Sequence, residues 1–227
     1  MPRETLERQT QKILDEVLVL GSMVEQATIA AVSSLKRRNV EEARAIYEND
    51  KIINAKHFQI ETDVVSLIAT QQPIMATDLR LMASILEINT ELERMGDYAK
   101  GIARICMMMG GQPPLKPLVD VPRMAEIATD MLHRALGAFV NKDLNAAKAI
   151  PAEDDQVDDL YNQVYRELVT YMISDPSTID RANYLMWVAH NLERLADRVT
   201  NICERTVYVV TGELKEFDRT DDEMRQS

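Results

Sequence analysis

"LERMGD" spans residues 92–97, and "LERLAD" spans residues 192–197. One phrase recurs after 100 positions with its Leu, Glu, Arg and Asp held in place. Around the first copy, apolar residues fall at alternating steps of three and four: Leu81, Ile85, Ile88, Leu92, Met95, Ala99, Ile102, Cys106 and Met109. Such a stripe marks a long helix that packs on its neighbours at a shallow angle. Ile13, Val17, Leu20, Val24, Ala27 and Ala31 mark a helix at the start of the chain. Ile46, Ile53, Ile60, Val64 and Leu67 mark one between the two. "RRN" (37–39) and "QQP" (71–73) punctuate the pattern. The first half therefore reads as three helices of about 30 residues each.

"GGQPPLKPLVDVP" (110–122) interrupts helical patterning with two Gly and four Pro, and the pattern then restarts. At an offset of 104, Leu35 aligns with Phe139, Ala43 with Ala147, Ile46 with Ile150, Asp50 with Asp154 and Ile53 with Val157. After a four-residue shortening the offset becomes 100, which overlays the two LER phrases. The repeat predicts an all-α fold of two tandem three-helix bundles with a pseudo-twofold internal repeat. The first bundle covers 1–110, a linker 111–120, the second bundle 121–213, and a solvated, flexible tail 214–227.

Composition agrees with helices: 227 residues hold only 7 Gly, 8 Pro and 3 Phe, against 13 Met, and 46% are hydrophobic. A net charge of −11 argues against general nucleic-acid binding, which needs a basic face to replace counterions. No apolar run approaches the roughly 20 residues of a membrane span, and "MPRETLERQTQK" lacks a signal-peptide core. Cys106 and Cys203 lie in separate helices without CxxC spacing and read as reduced core thiols, so a cytoplasmic protein is expected.

The repeated Glu and Asp pose an energetic question. Glu93 with Asp97, and Glu193 with Asp197, stack at i and i+4 on one helix face, and a like-charged pair there costs roughly 0.2–0.5 kcal/mol. The middle helix of each copy carries a second pair, Asp50 with Asn54 and Asp154 with Asp158. In an antiparallel helix pair, residues level with one another have numbers of constant sum. Asp50 with Asp97 and Asn54 with Glu93 share one sum, which puts the turn at Pro73. Asp154 with Asp197 and Asp158 with Glu193 share another, which puts the turn beside Pro176. The acidic flanks then either face each other across each hairpin or both face away. If they face each other, four oxygen-bearing side chains converge on each rim and require cations, either Lys/Arg or metal.

Arg94, Lys100, Arg104, Arg194 and Arg198 are the protein's own cations nearby, with Arg194 and Asp197 an ordinary i,i+3 pair. An all-oxygen ligand set without Cys suits Mg, Mn or Fe better than structural zinc, and bridging carboxylates allow more than one ion per site. His57 and His190 stand one turn from Asn54 and Glu193 and are candidate additional ligands, although a packed imidazole reads better for His57. His133 has no duplicated partner. Glu-x-x-His, GxxxxGK[ST], GxGxxG and nucleophile-elbow motifs are missing.

Taken together, "QQPIMATDLR" (71–80) with Asp78-Leu79-Arg80, "LERMGDYAKGIA" (92–103), "LERLADRVTNICERTVYVVTGE" (192–213) and the paired Asp50/Asn54 and Asp154/Asp158 resemble the PhoU family over about residues 3–213. The resemblance implies two pseudo-symmetric three-helix bundles whose acidic motifs bind multinuclear clusters of divalent or trivalent metal ions (Fe, Mn, Mg or Zn). It also implies a homodimer that represses the phosphate-starvation response. Its implied partners are the ATPase of a phosphate ABC transporter and a sensor histidine kinase, with peripheral attachment to the membrane complex. Asn54 departs from the acidic motif, and Ala196 stands where the first copy has Gly96. Two other classes remain open on the residues alone: a metal-dependent phosphoester hydrolase, and a metal-free helical adaptor.

Overall fold

The computed structural model describes residues 2–71 and 73–217. The chain begins with three long helices, α1 (Pro2–Arg37), α2 (Val40–Thr70) and α3 (Ala76–Met109). The second unit comprises α4 (Asp120–Asn141), a short α5 (Leu144–Ala149), a 3-10 turn (Ile150–Glu153) and α6 (Asp154–Ser174). A further 3-10 turn (Pro176–Thr178) leads into α7 (Ile179–Thr211). The fold is all-α, with two three-helix units in tandem.

The second unit is less regular than its sequence pattern suggests. α2 runs unbroken through Ile46 and Asp50, whereas the aligned stretch breaks after α5. Pro151 is the cause, because it lacks an amide donor and its ring clashes with the preceding turn. Asp154 consequently stands at the first residue of α6 rather than inside a long helix. Pro122, the last proline of the stretch that interrupts the helical pattern, lies in the first turn of α4, where its missing amide costs nothing.

Caps fix the other boundaries. The Asn39 side chain accepts from the Glu42 amide (3.1 Å) to start α2, and Asp143 accepts from Asn145 and Ala146 to start α5. Gly110 (φ 59°) and Gly212 (φ 83°) end α3 and α7 in the left-handed region. At Gly212 a Cβ would lie 2.6 Å from Arg80 Nη1, and the Arg80 guanidinium stands 5.6 Å from the centre of the Tyr208 ring. Arg80 of the first repeat thus docks on the C-terminal end of the second, where a cation complements the helix dipole.

α3 packs against α1 and α2, and also against α7, while α1 packs against α4. Leu20, Ile85 and Leu92 of the first repeat and Met124, Leu132 and Leu192 of the second consequently belong to one contiguous core. α2 and α6 lie on opposite outer sides, each against two helices of its own repeat. Those two outer helices carry Asp50, Asn54, Asp154 and Asp158.

The segment between α3 and α4 is pinned in place. Lys116, almost wholly buried, pairs with Asp120 (2.8 Å) and with Glu167 of α6. Of the expected tail, residues 218–227 lie outside the described residues. Before them the Phe217 amide donates to Glu204 Oε1 (2.9 Å), and its ring packs on the core rather than in solvent.

α1 is, by length and composition, the one described helix apolar enough to cross a bilayer. The sequence reading found no such run. In the fold its stripe faces inward, with Val17, Leu20 and Val24 fully buried.

Candidate metal-binding rims

The α2–α3 hairpin has the register expected from the acidic pairs. His57 Nδ1 lies 3.2 Å from the Asn89 carbonyl oxygen, and Asn89 Nδ2 donates back to the His57 carbonyl (3.0 Å). Two turns along, Gly96 lets α2 come close: a Cβ there would lie 3.0 Å from Ile53 Cγ2.

The acidic flanks face each other across this contact. Asp50 is 4% exposed, and its Oδ2 accepts from Lys100 Nζ (2.7 Å) and Asn54 Nδ2 (3.1 Å). Lys100 also stands 3.6 Å from Asp97 Oδ1, so one ammonium bridges carboxylates on both helices. Its hydrogen bond to Asp50 raises its pKa above the usual lysine range. Glu93 lies on the same flank. Burial first, then the charges of Asp97 and Asp50, push its carboxyl up, against the opposing effect of His57 and Arg94.

Two oxygens at this rim, Asp50 Oδ1 and Asn54 Oδ1, are buried without a hydrogen-bond partner. His57 Nδ1 must carry a proton to bond a carbonyl, so in the neutral ring the lone pair is on Nε2. Ligating histidines commonly carry this arrangement.

The second rim differs. Asp154 and Asp158, in the first turns of α6, are half-buried, as is Glu193, and Asp197 is nearly buried. Arg194 Nη1 lies 3.5 Å from Asp197 Oδ2, the i,i+3 pair visible in the sequence. His190 Nδ1 lies 3.2 Å from Glu193 Oε2. Burial, then the Arg194 charge, depress the His190 pKa. The position aligned with Lys100 is Thr200, whose hydroxyl donates to the Asp197 carbonyl (2.7 Å). No lysine therefore enters the second rim from that position.

The donors on both rims are the oxygens a hard cation takes, and the two unmet oxygens beside Lys100 fit such a ligand. Among the described residues, however, no three His, Cys, Asp or Glu side chains are grouped to hold one ion. In the first rim a metal would compete with Lys100 for Asp50, and in the second with Arg194 for Asp197.

Sequence reasoning missed several ion pairs, one of which joins the two repeats. Buried Glu91 pairs with Arg94 (3.2 Å) and with Arg198 of α7 (3.5 Å). Arg134 joins Asp130 to Glu153 across α4 and the 3-10 turn. Neither shows as a hairpin pairing in the sequence.

Both halves match one family profile. The PhoU domain profile fits residues 17–106 and again 121–206. The chain is 34% identical to the phosphate-specific transport system accessory protein PhoU homolog of Clostridium acetobutylicum, over 97% of this chain and 100% of that one. It is 35% identical to the Escherichia coli accessory protein PhoU, over 89% of this chain and 84% of that one. Among solved structures, Pseudomonas aeruginosa PhoU superposes with a TM-score of 0.85 at 32% identity, covering 91% of this chain and 99% of that one. The phosphate transport system regulatory protein PhoU of Streptococcus pneumoniae gives 0.86 at 29% identity, covering 93% and 100%. With its profile matched once in each repeat and its helices superposing along nearly the whole chain, the protein belongs to the PhoU family.

Proposed function

We propose that this chain is a cytoplasmic, non-enzymatic regulator of phosphate uptake that restrains the phosphate-starvation response and binds metal at its acidic rims. The observation that carries this reading is the match to accessory and regulatory proteins of phosphate transport across both repeats. The fold supports it, being two outer helices on a shared core and thus a scaffold of long helical faces. Its partners on this reading are the ATPase of a phosphate ABC transporter and a sensor histidine kinase, met at the membrane periphery, and the chain acts as a homodimer.

Asp50, Asn54, Glu93 and Asp97 would hold metal on the first rim, with His57 Nε2 as a further donor. Asp154, Asp158, Glu193 and Asp197 would do so on the second, with His190 beside them. Bound cations supply charge neutralisation and a bridge between helices. The chain's own part is to set the helix register that brings the donors level, to bury Asp50, and to keep Lys100 and Arg194 as counter-charges when metal is removed.

The test is co-purification of the tagged chain from its own cells grown in high and low phosphate. Recovery of the transporter ATPase or the sensor kinase in at least one condition supports the reading. Recovery of neither in both conditions counts against it.

A further inference from the structure

Beside the second acidic rim, the outer face of the α6–α7 hairpin carries an aromatic cup that neither the metal reading nor the repeat requires. Trp187 lies 6.0 Å from His190 and nearly edge-on to it, Tyr161 lies 6.2 Å from His190, and Tyr165 lies 6.5 Å from Tyr161, all between ring centres. Tyr161, Asn183, Met186, Trp187 and His190 enclose a cleft of about 220 Å³. Trp187 is 60% exposed and Tyr165 44% exposed, so large rings that could have packed inward face solvent. The first repeat has no such cup: the aligned positions hold His57, Glu61, Glu87 and Thr90.

Chemistry narrows what the cup can take. Aromatic faces attract cations or stack on planar groups. The Glu193 carboxylate stands at the rim, 3.2 Å from His190 Nδ1. It helps burial to raise the Tyr161 pKa. A phosphate-bearing ligand would meet this carboxylate and a chain of net charge −11. A guanidinium suits both features, since its plane stacks on rings and its edge bonds carboxylate. The same helix also exposes Ile179 (42%), two turns before Trp187 with Asn183 between them, so its surface extends past the cleft. A lone small molecule would leave that surface bare, whereas a protein segment would cover it.

We infer that this cup receives an arginine side chain of a partner protein, its guanidinium stacked against Trp187 and Tyr161 and paired with Glu193. The contact lies one turn from the second acidic rim, so partner docking and the state of that rim share a residue. Arg-on-aromatic anchors of this kind recur among interface hot spots.

Trp187 is the only tryptophan in the chain, so its fluorescence reports the site directly. The full-length, chelator-treated protein is titrated with N-acetyl-arginine amide, its neutral citrulline isostere, acetyl-Leu-Arg-Leu amide, adenosine monophosphate and phosphocholine. The expected result is a saturable change with the arginine amide and binding at least roughly tenfold weaker for citrulline. The tripeptide should bind more tightly than the arginine amide. Glu193→Gln and Tyr161→Ala should each weaken arginine binding roughly tenfold while helical circular dichroism is unchanged. Equal binding of citrulline, tighter binding of adenosine monophosphate or phosphocholine, or indifference to both substitutions would overturn the inference. A tripeptide no tighter than arginine amide would overturn the assignment to a protein partner.

Discussion

Tyr98 Oη and Arg198 Nε lie 3.4 Å apart, and the two residues occupy the same position in the two repeats. A residue that bonds its own repeat-equivalent marks where the pseudo-twofold axis passes, here through the crossing of α3 and α7. Around it the symmetry is only approximate. Arg198 also reaches Glu91, whose repeat-equivalent is the neutral Asn191. Asn191 in turn sits against Gly101, where a Cβ would lie 3.3 Å from its amide nitrogen. Among the described residues the crossing carries this ionic network and a longer Arg205–Glu87 pair (4.0 Å) on a mostly apolar contact.

That network should be costly to break. Glu91 is 7% exposed, and removing Arg198 leaves its carboxylate with Arg94 alone. Arg198→Ala is expected to destabilise the protein by about 2–3 kcal/mol, toward the lower end for a disrupted buried pair because Arg94 remains. Chemical denaturation measures it. A loss below about 0.5 kcal/mol, the size of an exposed pair, would show that the crossing does not depend on this contact.

Gly96 and Ala196 should not be interchangeable. A Cβ at Gly96 meets Ile53 at 3.0 Å, whereas Ala196 carries its methyl fully buried in the second repeat. Gly96→Val adds a β-branched side chain against Ile53 and is expected to cost about 1–3 kcal/mol by overpacking. Thermal unfolding reads it out, and a stabilised Gly96→Val would mean that α2 is free to move away from α3.

Much of this fold is legible before any coordinates. The stripes from Ile13 to Ala31 and from Leu81 to Met109 lie in α1 and α3 because core burial demands a helical period, and the period is written in the residues themselves. The hairpin register follows from the level carboxylate pairs. The sequence reading missed the break at Pro151, because the apolar pattern continues through Ile150 and Val157 on either side of it. The Glu91–Arg198 pair was not legible, since it depends on how two repeats cross and not on spacing within one. The aromatic cup was passed over because Tyr161, Tyr165, Trp187 and His190 become neighbours only when α6 and α7 are laid side by side. At the acidic rims the candidate residues were readable, but the sequence did not say that the flanks of the first rim face one another with Lys100 between Asp50 and Asp97.

On the proposed reading, Lys100 should give the two rims different metal affinities. The second rim offers four carboxylates and Thr200 where Lys100 stands, so it should bind Mn or Fe more tightly and lose it last on chelation. Lys100→Ala should destabilise chelated protein, because it uncovers buried Asp50, and should strengthen metal binding at the first rim. Titration of that variant beside Asp154→Asn/Asp158→Asn and Glu93→Gln/Asp97→Asn checks both claims. If Lys100→Ala weakens metal binding, Lys100 supports the site rather than competing for it.

Glu93 predicts a pH dependence with a definite sign. Its folded pKa is raised above the ordinary 4.5, so the fold favours the protonated carboxyl. The associated stability is fully present below the unfolded pKa and is lost as pH rises through the folded value. Glu93→Gln should therefore stabilise the chelated protein near pH 7, by about 0.2–0.5 kcal/mol as expected for relief of a like-charged i,i+4 pair. The gain should vanish below the ordinary Glu range. Denaturant midpoints across the acid range measure it. A gain that grows toward low pH would contradict the sign.

The central claim, that this chain restrains phosphate uptake, is tested most directly in its own cells. The measurement is the rate of labelled-phosphate uptake, with transcription of phosphate-starvation genes, in phosphate-replete cells with the gene removed and then restored. Removal should raise both despite ample phosphate, and restoration should lower both. Uptake and transcription indistinguishable from the parent after removal would contradict the account.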